Sequence, residues 1–213
     1  MFTGIIQDIG IIKSITKGAT SSTLAIESSV ISTDSVRGDS ISVSGVCLTI
    51  KAIKQNIFHM DVMKETVEKS TLNYLETNSK VNLEKALTPN SLMGGHFVQG
   101  HVDNIGKVER LKKTPQYWEL TINVGQDIMK YLLPKASIGL NGISLTIVDI
   151  TDTSFTVSVI PTTYQDTNIA FLKKGDYINL EVDMMGKYVY HYVEQLSSSK
   201  SKLSKEYLIK NGF

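Results

Sequence analysis

The sequence predicts an all-β fold made of two similar small barrels, followed by a helical tail. Three observations carry this prediction: the chain repeats itself, apolar and polar residues alternate within both copies, and the last segment has helical periodicity. The chain has 213 residues, which is the length of one large domain or two small ones. Each copy of the repeat would form its own barrel.

The internal repeat covers most of the chain. The stretch SISVSGVCLTI (residues 40–50) returns as SIGLNGISLTI (residues 137–147), and VNLE (81–84) aligns with INLE (178–181). Upstream the offset changes from 97 to 96 residues, which places a one-residue difference in a loop near residue 30. A common register over about 85 residues predicts two similar domains rather than a solenoid. We expect domains at 1–96 and 97–186.

Several segments alternate in the way that half-buried strands do. They are residues 40–50, 57–63, 119–123, 155–160 and 177–182. Turn residues, glycine together with Asn or Asp, separate these segments. Five or six short strands in roughly 95 residues favour a small closed barrel. Short helical turns are expected near residues 67–75 and 127–133. Because βα alternation and a Gly-rich phosphate loop are missing, a nucleotide-binding parallel sheet is not expected.

The last segment, residues 187–213, lies outside the repeat and is predicted to form a helix. Three apolar residues share one helical face: Val189, Val193 and Leu196. The serines at 197–199 are expected to interrupt the helix. Three further residues would continue it: Leu203, Tyr207 and Leu208. The apolar face would pack on its own barrel or join subunits, and a non-repeated amphipathic segment after two complete domains favours the second of these roles.

Composition argues against several classes of function. The 22 Lys and Arg residues balance 21 Asp and Glu, so the basic surplus of a nucleic-acid binder is missing. Arg37 and Arg110 are the only arginines, which argues against a phosphate-rich ligand. No apolar run reaches the roughly 18–20 residues of a membrane span, and the N-terminus lacks the plan of a signal peptide. We expect a cytoplasmic protein without nucleic-acid or membrane partners.

Cys47 is the only cysteine, which excludes an intrachain disulfide and a Cys-based zinc site. In a predicted strand it is either a small buried residue or a nucleophile. His96 and His101 are five residues apart, and a straight strand would direct them to opposite faces, so we expect no metal. His101 could act as a general acid or base near neutral pH, or bond to the backbone.

The two copies differ at a few polar positions. The informative pairs are Cys47 with Ser144, Ile5 with His101, and Ala86 with Asp183. Ser144 and Thr146 share one strand face, as do Cys47 and Thr49, where hydroxyl groups could hold a reacting group or simply suit a strand. Asp183 could be a buried base or a turn cap. A duplicated pocket would suit a reaction between two similar molecules, or the duplication only enlarges the core.

Six motifs together resemble the riboflavin synthase family, alpha-chain type. They are MFTGII (1–6), SGVCLT (44–49), MKET (63–66), GGHFVQGHVD (94–103), GISLT (142–146) and EVD (181–183), and the resemblance extends to about residue 192. It implies two six-stranded Greek-key barrels and a C-terminal helix, assembled as a homotrimer. It also implies a transferase reaction without cofactor or metal. Two 6,7-dimethyl-8-ribityllumazine molecules exchange a four-carbon unit and give riboflavin and 5-amino-6-(D-ribitylamino)uracil.

The resemblance further implies the site. In the family the active site lies between the N-terminal barrel of one subunit and the C-terminal barrel of its neighbour, and it holds two lumazines. Catalytic residues are expected at Thr3, Cys47, His101, Ser144, Thr146 and Asp183. Substrate contacts in the first barrel are expected at Gly4, Ile5, Ile6, Cys47, Leu48, Thr49, Asp61, Val62, Met63, Lys64, Glu65 and Thr66. In the second barrel they are expected at Gly100, His101, Val102, Lys135, Ser144, Leu145, Thr146, Ser158, Val159, Ile160, Pro161, Thr162 and Thr163.

The implied chemistry begins with removal of a proton from the 7-methyl group of one lumazine, by His101 or by a polar group of the first barrel. The other lumazine is activated at C7 by water or by the Ser144 hydroxyl, positioned by Asp183. The carbanion then attacks, and a pentacyclic adduct breaks down to the products. Some relatives dock inside a lumazine synthase shell, and the sequence leaves that association open.

Three other interpretations compete. A non-catalytic lumazine- or flavin-binding antenna protein shares the fold, but the retained set of Cys47, His101, Ser144 and Asp183 favours the enzyme. A flavin-dependent barrel reductase would need Arg and Gly motifs that grip phosphate. A purely structural β protein would not predict six family motifs in register.

Overall fold

The strands close into two antiparallel barrels of six strands each. The structure is a computed structural model that describes residues 1–200 together with residue 209. The first barrel consists of β1 (Asp8–Lys17), β2 (Ser21–Glu27), β3 (Ser40–Val43), β4 (Val46–Lys54), β5 (Ile57–Met63) and β6 (Lys80–Lys85). The second consists of β7 (Asn104–Lys113), β8 (Trp118–Asn123), β9 (Ser137–Leu140), β10 (Ile143–Ile150), β11 (Ser154–Val159) and β12 (Tyr177–Val182).

Both barrels have the same strand order. Around the first barrel the order is β1-β2-β5-β4-β3-β6, and around the second it is β7-β8-β11-β10-β9-β12. All pairings are antiparallel, and each barrel closes where its first strand pairs with its last. The all-β prediction of two duplicated barrels is confirmed.

Residues 40–50, expected to be one alternating strand, form a hairpin instead. The two-residue turn at Ser44 and Gly45 has φ angles of +46° and +83°, and the equivalent turn at Asn141 and Gly142 has +45° and +79°. Positive φ at both central residues is the geometry of a type I′ turn, which matches the twist of the flanking strands. The alternation of apolar and polar residues continues through so short a turn and therefore does not reveal it.

The helices are short except for the last. They are α1 (Ser29–Ser32), α2 (Lys64–Glu68), α3 (Gln126–Met129), α4 (Pro161–Gln165) and α5 (Met184–Lys200), with 3-10 turns at Thr71–Tyr74 and Asn168–Phe171. Helix α5 continues through the serines at 197–199, contrary to expectation, because serine is only mildly unfavourable in a helix. The expected continuation at Leu203, Tyr207 and Leu208 lies outside the described residues. None of the described helices has the length and apolar character required of a membrane span.

The chain divides into two compact units, Met1–Asp183 and Met184–Phe213. Within the first unit each barrel has its own apolar core, with Phe58 buried in one and Phe155 in the other. In the second unit, helix α5 exposes six large apolar side chains: Met185, Tyr188, Val189, Tyr192, Val193 and Leu196.

Buried asparagines join the two barrels through an exchange of equivalent hydrogen bonds. The Asn82 side chain donates to the carbonyl of Asn141 (2.9 Å), and the equivalent Asn179 side chain donates to the carbonyl of Ser44 (2.7 Å). The Asn82 side chain also accepts from the backbone N–H of Asn168 (2.6 Å). Because buried amides need partners, these reciprocal bonds fix the two barrels in a single arrangement. The arrangement approximates two-fold symmetry.

Candidate functional site

Two stretches of chain that lead into the barrels contact the opposite barrel. We call residues 1–6 the first crossing segment and residues 97–102 the second crossing segment. The carbonyl of Gly4 accepts from the backbone N–H of Ser144 in the second barrel, and the carbonyl of Gly100 accepts from that of Cys47 in the first; both bonds are 2.8 Å. Ile6 likewise packs on the second core. Each crossing segment therefore lies beside a strand of the opposite barrel.

A buried glutamate anchors each crossing segment. Glu84 Oε1 accepts from the backbone N–H and the hydroxyl of Thr3, both at 2.6 Å, and Oε2 accepts from the N–H of Gly4 at 3.0 Å. The equivalent Glu181 accepts from the backbone N–H groups of residues 99, 100 and 101. Burial raises the pKa of Glu84 above its ordinary value, and these bonds to Thr3 and Gly4 oppose the rise.

The second crossing segment and the first barrel enclose a cavity of about 360 Å³, which we call cleft 1. Its lining consists of Val46, Cys47, Glu65, Thr66, Lys69, Ser70, Gly100, His101 and Val102. Cys47 is half-buried at the start of β4, and His101 is exposed. Gly100 is required here because it has φ +80°, and a Cβ on it would lie 2.6 Å from the Cys47 Cβ.

The first crossing segment and the second barrel enclose a cavity of about 210 Å³, which we call cleft 2. Its lining consists of Gly4, Ile5, Ile6, Ile143, Ser144, Thr162, Thr163, Asp166 and Thr167. Each of these nine residues is the repeat equivalent of a residue that lines cleft 1. The backbone frame is thus duplicated, while the chemistry differs: cleft 1 carries a thiol and an imidazole where cleft 2 carries a hydroxyl and an isoleucine.

A histidine that the sequence pattern suggested only as a metal ligand contacts Ser144, one of the residues that line cleft 2. The Nδ1 atom of His96 lies 2.7 Å from the Ser144 Oγ. Burial lowers the pKa of His96 below its ordinary value, and the negative charge of Asp183 opposes this shift. His96 and His101 are separated because residues 96–101 do not form a strand: His96 contacts Ser144, and His101 lines cleft 1.

The glycine before His96 is the sequence signal for this contact. A Cβ on Gly95 would lie 2.2 Å from the carbonyl oxygen of Thr3 and 2.7 Å from the Ser144 Cβ. Only glycine permits so close an approach, so Gly95 marks a place where one backbone passes directly over another.

The structure pairs the expected contact residues crosswise. Gly4, Ile5 and Ile6, expected with the first-barrel contacts, lie with Ser144 of the second barrel. Gly100, His101 and Val102, expected with the second-barrel contacts, lie with Cys47 of the first. The difference arises because each crossing segment contacts the barrel that it does not belong to.

The other expected site residues are not among the described residues that line cleft 1 or cleft 2. Four are buried on the inner faces of their strands: Leu48, Val62, Leu145 and Val159. Thr49 and Thr146 are exposed on the outer strand faces that also carry Cys47 and Ser144. Thr3 lines a neighbouring cavity and Asp183 is half-buried. The remaining expected residues, which also line neither cleft, are Asp61, Met63, Lys64, Lys135, Ser158, Ile160 and Pro161.

Two closed barrels with equivalent open clefts define a small-molecule-binding protein with a duplicated site. Comparison with known proteins agrees. The lumazine binding domain family matches residues 3–86 and 99–183. Riboflavin synthases from Bacillus amyloliquefaciens and Bacillus subtilis (strain 168) are each 40% identical over 215 aligned positions, covering 100% of this chain and of theirs.

Solved structures show the same fold. A crystal structure of LumP complexed with 6,7-dimethyl-8-(1'-D-ribityl) lumazine has a TM-score of 0.78 at 27% identity and covers 85% of this chain and 99% of that one. LumP complexed with riboflavin has a TM-score of 0.80 at 28% identity, with the same coverage. The chain belongs to the lumazine-binding family and, within it, to the riboflavin synthases, which confirms the family that its motifs indicate.

Proposed function

We propose that this chain is a riboflavin synthase, which converts two molecules of 6,7-dimethyl-8-ribityllumazine into riboflavin and 5-amino-6-(D-ribitylamino)uracil. The observation that carries the proposal is the pair of equivalent clefts with different reactive side chains. Two identical substrates call for two similar binding frames. A donor and an acceptor of a four-carbon unit call for different chemistry in each frame.

We assign the donor to cleft 1 and the acceptor to cleft 2. In cleft 1 the exposed imidazole of His101 is the group suited to remove a proton from the 7-methyl group. In cleft 2 the Ser144 hydroxyl is the group suited to add to C7 of the second lumazine. The negative charge of Asp183 acts on His96, whose Nδ1 lies 2.7 Å from the Ser144 Oγ.

The two lumazines react only if their rings meet. Reacting atoms must approach to about 3–3.5 Å, but the two clefts of one chain share no lining residue. We therefore propose that cleft 1 of one chain faces cleft 2 of a neighbouring chain within a homotrimer. The exposed apolar face of helix α5 supplies a surface for such assembly. Association with lumazine synthase and a cytoplasmic location stay predictions.

The alternative is an antenna protein that binds the lumazine without converting it. The LumP structures have this fold but share 27–28% identity with the chain, less than the 40% of the synthases. The presence of Cys47, His101 and Ser144 at the clefts favours the enzyme.

One experiment separates the two functions. The purified full chain is mixed with the lumazine alone, and riboflavin is followed by absorbance and chromatography. One riboflavin formed per two lumazines consumed would support the synthase. Binding without turnover would establish an antenna or carrier instead. The variant His59→Gln, on β5 and outside the lining of both clefts, should behave like the natural sequence.

A further inference from the structure

His96 has no role in the mechanism proposed above, yet its side chain is within hydrogen-bond distance of the Ser144 hydroxyl, the reactive group of cleft 2. Its Nδ1 is 2.7 Å from the Ser144 Oγ, while its Nε2 is buried and has no hydrogen-bond partner among the described residues. A buried imidazole nitrogen without a partner is costly, so a purely structural histidine is expected to satisfy both of its nitrogens.

We propose that His96 is a positioning residue: it orients the Ser144 hydroxyl and accepts its proton when Ser144 adds to the lumazine held in cleft 2. The inference rests on the proposed function and extends it by naming the proton acceptor.

The step balances without another reactant. The proton of Ser144 Oγ moves to His96 Nδ1, the Oγ–C7 bond forms, and the π electron pair of C7 moves into the conjugated ring. Later the Oγ–C7 bond breaks, and His96 returns the proton to the departing oxygen. A serine hydroxyl is a weak nucleophile by itself, and an adjacent base at hydrogen-bond distance is the usual means of activating it.

The surroundings of His96 suit a proton acceptor. A base must be neutral before it acts, and burial disfavours the charged imidazolium. The charged group that acts on His96 is Asp183, whose negative charge would stabilise the imidazolium once the proton has moved. Burial therefore favours the neutral imidazole before the proton moves, and the carboxylate of Asp183 stabilises the imidazolium after it has moved.

The contact between His96 and Ser144 also distinguishes cleft 2 from cleft 1. Within the described residues, Cys47, the equivalent of Ser144, has no hydrogen bond to a histidine, and the histidine of cleft 1, His101, stands where cleft 2 has Ile5. This asymmetry assigns the electrophilic partner of the reaction to cleft 2.

The test compares His96→Gln, Ser144→Ala and the double variant, with His59→Gln as the matched control. Steady-state kcat and KM for the lumazine are measured from pH 5.5 to 8.5, and folding is checked by circular dichroism. We expect His96→Gln to lower kcat about 10²–10³-fold, the range of one general base, with KM changed less than about threefold. The double variant should be no slower than the slower single variant, because His96 acts only through Ser144.

The pH profile separates proton acceptance from a structural role. The profiles are measured in a His101→Gln background, so that the proton acceptor proposed for cleft 1 does not contribute to them. There kcat should fall as the pH decreases and His96 becomes protonated, and burial, which lowers the pKa of His96, moves this limb below the ordinary range of histidine. The limb should be missing when His96→Gln is added. A kcat for His96→Gln within twofold of the natural sequence, or losses that multiply in the double variant, would overturn the proposal. If His96→Gln does not fold, Ser144→Ala must still lack the limb, and a retained limb counts against the inference. Failure of the proposed function itself would be distinguishable, because the natural sequence would then form no riboflavin.

Discussion

Single residues give two identical backbone frames different chemistry. Cys47 and Ser144 occupy equivalent positions, and the backbone N–H of each donates to a crossing-segment carbonyl at 2.8 Å. The two positions differ only in the terminal atom of the side chain, sulfur in Cys47 and oxygen in Ser144, and in the side chains that surround it. A thiol at Cys47 is an isolated reporter for cleft 1, because the chain contains no other cysteine.

Lumazine binding should protect Cys47 from alkylation. The thiol lines cleft 1 and is half-buried, so a ring bound there would exclude the reagent. We expect the rate of iodoacetamide labelling, followed by mass spectrometry, to fall at least about tenfold at saturating lumazine, which restricts reaction to the unbound fraction. Free ribitol at the same concentration is the control and should not protect. Undiminished labelling at saturation would remove cleft 1 from the binding site.

The sequence reveals which residues are chemically unusual better than it reveals which residues meet. The differences between Cys47 and Ser144 and between Ile5 and His101 can be predicted by aligning the copies, and these residues do line the clefts. The contact of His96 with Ser144 joins residues 48 positions apart. Neither periodicity nor repeat alignment could indicate it; the glycine at 95 was the sole local sign.

The two hairpin turns, at residues 44–45 and 141–142, meet where the barrels join. A Cβ on Gly142 would lie 2.8 Å from the backbone nitrogen of Gly45, and the reverse distance, from a Cβ on Gly45 to the nitrogen of Gly142, is 2.7 Å. Gly45 and Gly142 are thus each required for two reasons: the positive φ of the turn and the close approach of the two backbones.

Replacing Gly142 with alanine should destabilise the protein much more than replacing Gly175. Both glycines have positive φ, +79° and +97°, so each alanine incurs about 1–2 kcal/mol of backbone strain. Gly175 has open space around it, while Gly142 faces the Gly45 backbone, so Gly142→Ala should cost about 1–3 kcal/mol more. Urea unfolding of both variants measures the difference. Equal losses would show that the turns can separate without cost.

The elements themselves could be predicted in part. The repeat and the alternation predict two barrels, because a half-buried strand leaves a period of two in the sequence. Helix α4, the counterpart of α2, was not predicted, since five residues are too few to show helical periodicity. The crosswise path of residues 1–6 and 97–102 was also not predicted. It depends on buried carboxylates at Glu84 and Glu181, each about 80 residues away along the chain.

The two barrels depend on each other, because each crossing segment lies against the opposite barrel. Each cleft takes one wall from its own barrel and one from a segment of the other copy, so neither barrel alone would contain a complete cleft. Duplication therefore does more than enlarge the core: it produces two clefts with equivalent backbone frames and different side chains.

Mixing two inactive variants should restore activity if productive sites form between chains. The variant His101→Gln has a defective cleft 1 and Ser144→Ala a defective cleft 2, so each is expected to be slow by itself. After unfolding and refolding together in equal amounts, a site needs an intact cleft 1 from one chain and an intact cleft 2 from its neighbour. Random assembly then gives about one quarter of the natural activity, because each condition is met half of the time in a head-to-tail ring. The control mixes a variant that carries both His101→Gln and Ser144→Ala with the single variant Ser144→Ala, so that no intact cleft 2 exists. Activity no higher than that of the separate variants, with mixed trimers verified by native mass spectrometry, would show that both clefts of a site belong to one chain.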